Sequence, residues 1–211
     1  MIVAFKRPQG LAEHLVAWWT APGFPGFSGA HYAHMEIAFT HPERAPAMWS
    51  ERGRLYLCGS STSGMGIELR YLYLAPNLYD LVEVPCTDDG QDSVLSFFLQ
   101  EFHCAYDWLG ILRFVFPWIK PARNEWFCSE AGCTALSRLP GLKELGHRAY
   151  LFSPNAAAVK LRQMLATPAL PSLMLTPVVP RMRGSPCADA LPQQPRLLSP
   201  ANPQRINELT N

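Results

Sequence analysis

The sequence has no excess of charge of either sign and no long hydrophobic run. Its 211 residues include 18 Lys and Arg against 17 Asp and Glu, which gives a formal net charge of +1. Proteins that bind nucleic acid without sequence preference depend on a basic surface, so we expect no nucleic-acid partner. The apolar runs are shorter than the roughly 18–20 residues that cross a bilayer, so we also expect no transmembrane segment. With 48% hydrophobic residues, the chain can form a sizeable core.

The first ten residues also lack the pattern of a secretory signal. A signal peptide places its charges before an apolar core, whereas here a very short apolar run is followed directly by Lys6, Arg7 and Pro8. We therefore expect a cytoplasmic or virion-associated protein without a signal peptide.

Cysteine occurs without the spacing of a metal site. The six cysteines include no CxxC pair, and the close pair Cys128 and Cys133 has no histidine at zinc-finger spacing. We therefore expect no metal and no cofactor. An even number of cysteines favours disulfides only in an exported protein, so a functionally important cysteine is expected to act as a thiolate.

Proline is unevenly distributed and divides the chain into two parts. Nine of the 20 prolines follow residue 166, at spacings that neither a helix nor a central strand accommodates. The sequence thus predicts a folded domain over residues 1–166 and an extended, proline-rich tail over residues 167–211. The tail keeps apolar residues such as Leu173 and Val178, which a solvated linker does not need, so we expect it to dock on another protein subunit.

Hydrophobic periodicity in residues 1–166 predicts an α+β fold, in which a small antiparallel sheet packs on helices. Four runs are alternating or rich in β-branched and aromatic residues and are separated by turn residues, which is typical of strands. Later segments repeat apolar residues at helical spacing. The predicted strands are His34–Thr40, Arg54–Gly59, Gly66–Tyr73 and Tyr79–Pro85. The predicted helices are Leu11–Thr20, Ser93–Phe102 with its cap in Asp88–Asp92, Asp107–Phe116, Ser129–Arg138, and one from Pro154 to about residue 166.

The segment WFCSE places Cys128 where an extended aromatic stretch turns into a helix. Unpaired backbone N–H groups and the positive end of the helix dipole stabilise a thiolate there. The same N–H groups can hold an oxyanion beside the sulfur. The segment therefore predicts a cysteine nucleophile, and the alternative is a buried cysteine that only fills space.

The segment HME begins a predicted strand with His34 and Glu36 two residues apart. Side chains at that spacing lie on one face of a strand, so the carboxylate can orient the imidazole of a general base. The alternative is a solvated strand face that carries no function.

The segment YDWLG opens the predicted helix that precedes Cys128 in the chain. Asp107 is expected to cap that helix, and Gly110 allows another backbone to approach closely. A structural role for Asp107 is favoured over direct participation in catalysis.

The order of these segments resembles a known family. A strand with HxE, a stretch of small residues from Cys58 to Gly64, then YDWxG and FCSE at a helix start, is similar to the permuted papain-like amidases. This is the circularly permuted branch of the NlpC-type cell-wall peptidases, with YiiX- and YaeF-like proteins, and is related to lecithin retinol acyltransferase. The resemblance covers roughly residues 30–150. Chains of this kind also resemble bacteriophage-encoded proteins.

The resemblance implies a role for each matching residue. Cys128 corresponds to the nucleophile and His34 to the general base. Glu36 is our first choice for the third, polar member, and Ser60 or Ser61 is the alternative. Tyr106, Trp126 and Ser129 are expected to contact the substrate.

These residues predict a thiol hydrolase that cleaves an amide in a cell-wall peptide or an acyl bond. An acyltransferase that uses the same pair of residues is a further possibility. The different class of function is a structural or accessory protein of a phage particle, which keeps the fold with little or no catalysis and uses the tail for assembly.

Overall fold

Consecutive buried residues near the start of the chain form a strand inside the main sheet. The computed structural model describes residues 1–19, 32–43, 45–114, 116, 118–120 and 124–166. Strand β1 (Ile2–Lys6) carries Val3, Ala4 and Phe5, all fully buried. It pairs antiparallel with two strands, one on each side. The sequence analysis did not predict this strand.

The main sheet has six antiparallel strands and confirms the predicted α+β class. The strands after β1 are β2 (His34–Phe39), β3 (Met48–Ser50), β4 (Gly53–Thr62), β5 (Gly66–Tyr73) and β6 (Tyr79–Glu83). Their order is β3-β4-β2-β1-β6, and β5 pairs with β4. Two short strands, β7 (Ala105–Tyr106) and β8 (Glu125–Trp126), form a separate parallel pair. The four predicted strands are present, whereas β3, β7 and β8 were not predicted.

The described residues contain five α-helices and two 3-10 helices. The α-helices are α1 (Gly10–Trp19), α2 (Asp88–Gln100), α3 (Trp108–Arg113), α4 (Cys128–Leu136) and α5 (Pro154–Ala166), and the 3-10 helices are Pro140–Gly146 and Ala149–Leu151. The predicted cap of α2 was wrong, because Asp88 to Asp92 already belong to the helix. Thr87 is the cap, and its hydroxyl oxygen accepts from the Gly90 N–H at 3.2 Å.

The Cys-bearing helix α4 packs on the sheet through a glycine. Gly132 faces the side chain of Met35 on β2, and a Cβ at this glycine would lie 2.7 Å from the Met35 methyl carbon. A side chain at this position would require Met35 to move, so the glycine allows α4 and the Met35 side chain of β2 to pack closely.

Residues 167–211, where we predicted an extended tail, lie outside the described residues, so that prediction stays open. Within the described residues, no helix is long and apolar enough to cross a bilayer.

Substituting Gly66 by alanine is expected to destabilise the protein by more than about 2 kcal/mol. Gly66 has a φ of +70°, and a Cβ there would lie 2.0 Å from the carbonyl oxygen of Cys104. Gly64 lies in the same turn with open space around it, so Gly64→Ala is the matched control and is expected to change stability little. Chemical denaturation of both variants tests this, and equal losses would contradict it.

Candidate active site

Cys128 is the first residue of α4. The preceding residue, Phe127, caps the helix with extended backbone (φ −78°, ψ 151°). Backbone N–H groups in a first helical turn have no intrahelical acceptor, so they face the region around the thiol. The predicted placement of Cys128 at a helix start is confirmed. The residue is buried, with 1% of its surface exposed.

Glu130 caps the same helix from its third position. Its carboxylate accepts a hydrogen bond from the backbone N–H of Phe127, which is half of a capping box. The glutamate of the FCSE segment therefore helps to start the helix at Cys128.

The chain before Cys128 is tied to β4 and β7. The hydroxyl of Ser61 donates to the carbonyl of Trp126 at 2.6 Å. The backbone N–H of Asp107 donates to the same carbonyl at 3.2 Å. Of the two serines proposed as polar partners, Ser61 is thus used to hold the backbone that leads into Cys128.

His34 has its Nε2 atom between two polar partners. Glu36 Oε1 lies 3.0 Å from it, and Ser60 Oγ lies 3.0 Å from it. The single hydroxyl proton of Ser60 is donated to the carbonyl of Met35 at 2.8 Å, so Ser60 must accept from Nε2–H. This arrangement puts a proton on Nε2 and leaves Nδ1 for another partner.

The Cys128 side chain is hydrogen-bonded to His34, and we assign this bond to Nδ1 because Nε2 faces Glu36 and Ser60. Burial alone would lower the pKa of His34. The negative charges of Cys128 and Glu36, and the hydrogen bonds to both, instead raise it to about 10. The ring therefore carries a proton on both nitrogens, and so a positive charge, at neutral pH. Strand β2 and helix α4, far apart in sequence, are thus joined at the two residues that were predicted to act together.

Glu36 lies behind His34 and is also buried. Burial raises its pKa, but His34 and Arg70 together hold that pKa below its usual range. Arg70 Nη2 donates to Glu36 Oε1 at 2.7 Å. The sequence analysis did not single out Arg70, although its place two residues after Glu68 in GIELRYLY puts two opposite charges on one strand face.

The three residues predicted to contact substrate occupy different surroundings. Tyr106 is half-buried, and its pKa is raised by burial and by the charges of Cys128 and Asp107. Trp126 is half-buried, with its indole N–H donating to Glu101 at 3.4 Å. Ser129 is fully buried and donates its hydroxyl to the carbonyl of Phe152 at 2.5 Å. The charge of Cys128 thus acts on one of these three residues, Tyr106.

A buried charge cluster joins the segments YDWLG and FCSE. Asp107 caps α3 as predicted, because its Oδ1 accepts from the Gly110 N–H at 2.7 Å. Its other oxygen lies 2.5 Å from Arg113 Nη2, and Glu130 lies 3.6 Å from Arg113 Nη1. Burial and the nearby Asp107 raise the pKa of Glu130 to about 7, against the lowering effect of Arg113.

Two further thiols provide internal comparisons for Cys128. Cys58 and Cys133 are free and buried, and burial raises the pKa of both. In the part of the chain that the structure describes, no three potential metal ligands lie together.

Scans against protein-family models, curated proteins and solved structures found no match to this chain.

Proposed function

We propose that this protein is a cysteine hydrolase of the permuted papain-like type, which cleaves an amide or acyl bond. The observation that carries the proposal is the hydrogen-bonded pair of Cys128 and His34. A nucleophile at a helix start and a base oriented by a third polar group are the arrangement that nucleophilic catalysis needs. Glu36 is that third group, and Ser60 assists it at the same ring nitrogen.

In the proposed reaction, the Cys128 thiolate attacks the carbonyl carbon of the substrate. The carbonyl oxygen becomes an oxyanion, which backbone N–H groups in the first turn of α4 stabilise. The His34 imidazolium gives its Nδ1 proton to the leaving amine or alcohol, and a thioester remains on Cys128. His34, now neutral, takes a proton from water, which attacks the thioester and releases the acid.

Apolar side chains beside the site support an acyl or hydrophobic peptide substrate. The Tyr106 ring lies 5.1 Å from the ring of Trp108, which is 59% exposed. Leu109, next to it, is 54% exposed. These exposed groups offer a surface on which an apolar part of a substrate can rest next to Cys128.

The second candidate is a structural or accessory component of a phage particle that keeps this fold without turnover. The burial of Cys128 favours it, because a substrate carbonyl must reach a thiol of which 1% is exposed. Under this proposal the tail over residues 167–211 docks on another subunit, and the thiol stays unmodified when substrate is offered.

Acid quenching during turnover tests the hydrolase proposal. We expect incubation with p-nitrophenyl acetate, or with a cell-wall muropeptide, to leave a thioester on Cys128, because deacylation needs a separate water attack. Tandem mass spectrometry locates the acyl group, and hydroxylamine should remove it. Cys58 and Cys133 serve as internal controls, because their raised pKa values keep them protonated. Acylation spread over all thiols, or found on none, would support the accessory protein instead.

A further inference from the structure

We propose that Arg70 is a positioning residue for the Cys128 and His34 pair and acts on it through Glu36. This inference rests on the proposed function, because it assigns a role within the same site. Arg70 contacts neither Cys128 nor His34 by any hydrogen bond of the described residues; its contact with the site is the one to Glu36.

Strand register explains how an arginine on β5 reaches a carboxylate on β2. Arg70 is paired with Cys58 on β4, and Cys58 is paired with Ala38 on β2. Glu36 lies two residues before Ala38 and therefore on the same face of the sheet. The other two residues of this row, Cys58 and Ala38, are small, so the long arginine side chain can lie diagonally across β4 to Glu36.

A second carboxylate fixes the arginine in this orientation. Arg70 Nη1 donates to Glu68 Oε1 at 2.7 Å, and the Thr62 hydroxyl donates to the same oxygen at 2.7 Å. With Nη1 held by Glu68, the fork geometry of the guanidinium directs Nη2 at Glu36. The Arg70 side chain is 37% exposed, so most of its surface is buried against the strand face between these carboxylates.

The orientation of Glu36 depends on this contact. Both of its charged partners, His34 and Arg70, bind the same oxygen, Oε1, and within the described residues Oε2 has no hydrogen-bond partner. Without Arg70, a carboxylate that is 1% exposed would keep a single cationic partner. Desolvation then favours its protonated form, and a protonated Glu36 no longer stabilises the His34 imidazolium.

The measurement is the pH dependence of the Cys128 thiolate, which needs no substrate. The ultraviolet absorbance of each variant is recorded against that of the same variant carrying Cys128→Ala, so that only this thiolate contributes. The proposed function requires that the wild type forms this thiolate below neutral pH. In Arg70→Gln, Glu36 loses the contact that orients it and no longer holds the His34 imidazolium against the sulfur, so the acid limb of the curve is expected to move up by about one unit, a tenfold change in proton concentration.

Two comparisons separate positioning from a general effect of charge or stability. Arg54 on β4 is exposed and lies over the Tyr56 ring at 5.1 Å. Arg54→Gln removes the same charge from the protein, and we expect it to leave the acid limb of the thiolate curve unchanged. In the Glu36→Gln background, Arg70→Gln should cause no further shift, because its path to the pair is already removed. A shift that persists in that background would overturn the inference.

The experiment distinguishes a failure of the proposed function from a failure of the proposed role of Arg70. If the wild type shows no thiolate below neutral pH, the proposed function fails. If the wild type shows it and Arg70→Gln leaves the acid limb unchanged, only the role of Arg70 fails. If Arg70→Gln does not fold, Arg70→Lys replaces it. An ammonium lacks the two-pronged contact, so we expect the acid limb to move in the same direction by about half a unit. An acid limb that does not move in Arg70→Lys overturns the inference.

Discussion

Replacing Cys128 by alanine is expected to lower the hydrolysis of an acyl ester by at least about 10⁴-fold, to the background rate. The sulfur is the atom that forms the covalent bond, and the described residues place no other thiol against His34. The substitution removes one buried atom, so the variant is expected to stay folded. The rate of p-nitrophenyl acetate hydrolysis, measured together with the free energy of unfolding, tests both statements.

Cys133→Ala is the matched control for this result. Cys133 lies on the same helix, is fully buried, and has a pKa raised by burial and by the charges of Cys128 and Glu130. Its thiol is not a nucleophile under the proposal, so the variant should keep its activity within about a factor of three. Full activity in Cys128→Ala would refute the assigned nucleophile, and equal losses in the two variants would indicate damage to α4 instead.

The central pair of the site could be predicted from local sequence because each member depends on short-range geometry. His34 and Glu36 share a strand face by the two-residue period, and Cys128 begins a helix where an extended segment ends. The structure adds that the two elements meet. The sequence analysis left Glu36, Ser60 and Ser61 open, and the hydrogen bonds separate them, since Glu36 and Ser60 face His34 whereas Ser61 holds the Trp126 carbonyl.

Arg70 could not be predicted because its role depends on which strands are neighbours. The alternation of Glu68 and Arg70 shows a charged strand face, but it takes the pairing of β5 with β4, and of β4 with β2, to bring that face to Glu36. Strand β1 was missed for a different reason. Its five residues are buried on both faces at their centre, so they show no alternation of apolar and polar residues, which is the sign of a half-buried strand.

The burial of Arg113 could not be predicted from its charge. A lone arginine at the end of a short amphipathic segment is expected at the surface, yet its side chain is 1% exposed. Its partners, Asp107 and Glu130, come from the two segments that the sequence analysis singled out for other reasons. Asp107 caps α3 and Glu130 caps α4, and the arginine joins the two helix starts.

Replacing Arg113 by methionine is therefore expected to destabilise the protein by about 3–5 kcal/mol at alkaline pH, because two buried carboxylates lose their shared cation. The size of the effect depends on pH through Glu130. The pKa of this carboxyl is raised to about 7 in the folded protein above its unfolded value, so its ionisation costs stability as pH rises through that value. Without Arg113 the pKa rises further, and the cost above it grows.

The destabilisation by Arg113→Met should accordingly be smaller at about pH 5, where Glu130 is protonated with or without the arginine, by roughly 1 kcal/mol or more. Urea denaturation at about pH 5 and about pH 9 measures the difference, and titrations common to both proteins, such as that of His34, cancel in it. Arg138→Met is the matched control, because the hydrogen bonds of Arg138 go to the Ser93 carbonyl, the Ser96 hydroxyl and the Gln100 amide oxygen. The loss of stability in Arg138→Met should be about 1 kcal/mol and nearly independent of pH.

Adding Glu130→Gln to Arg113→Met should restore stability at alkaline pH and change little at acidic pH, since the glutamine removes the same charge that protonation removes. Arg113 also lies over the Tyr150 ring, 5.7 Å from its centroid. An equal loss at both pH values in Arg113→Met would mean that the arginine stabilises the helix starts through this ring and not by neutralising the carboxylates.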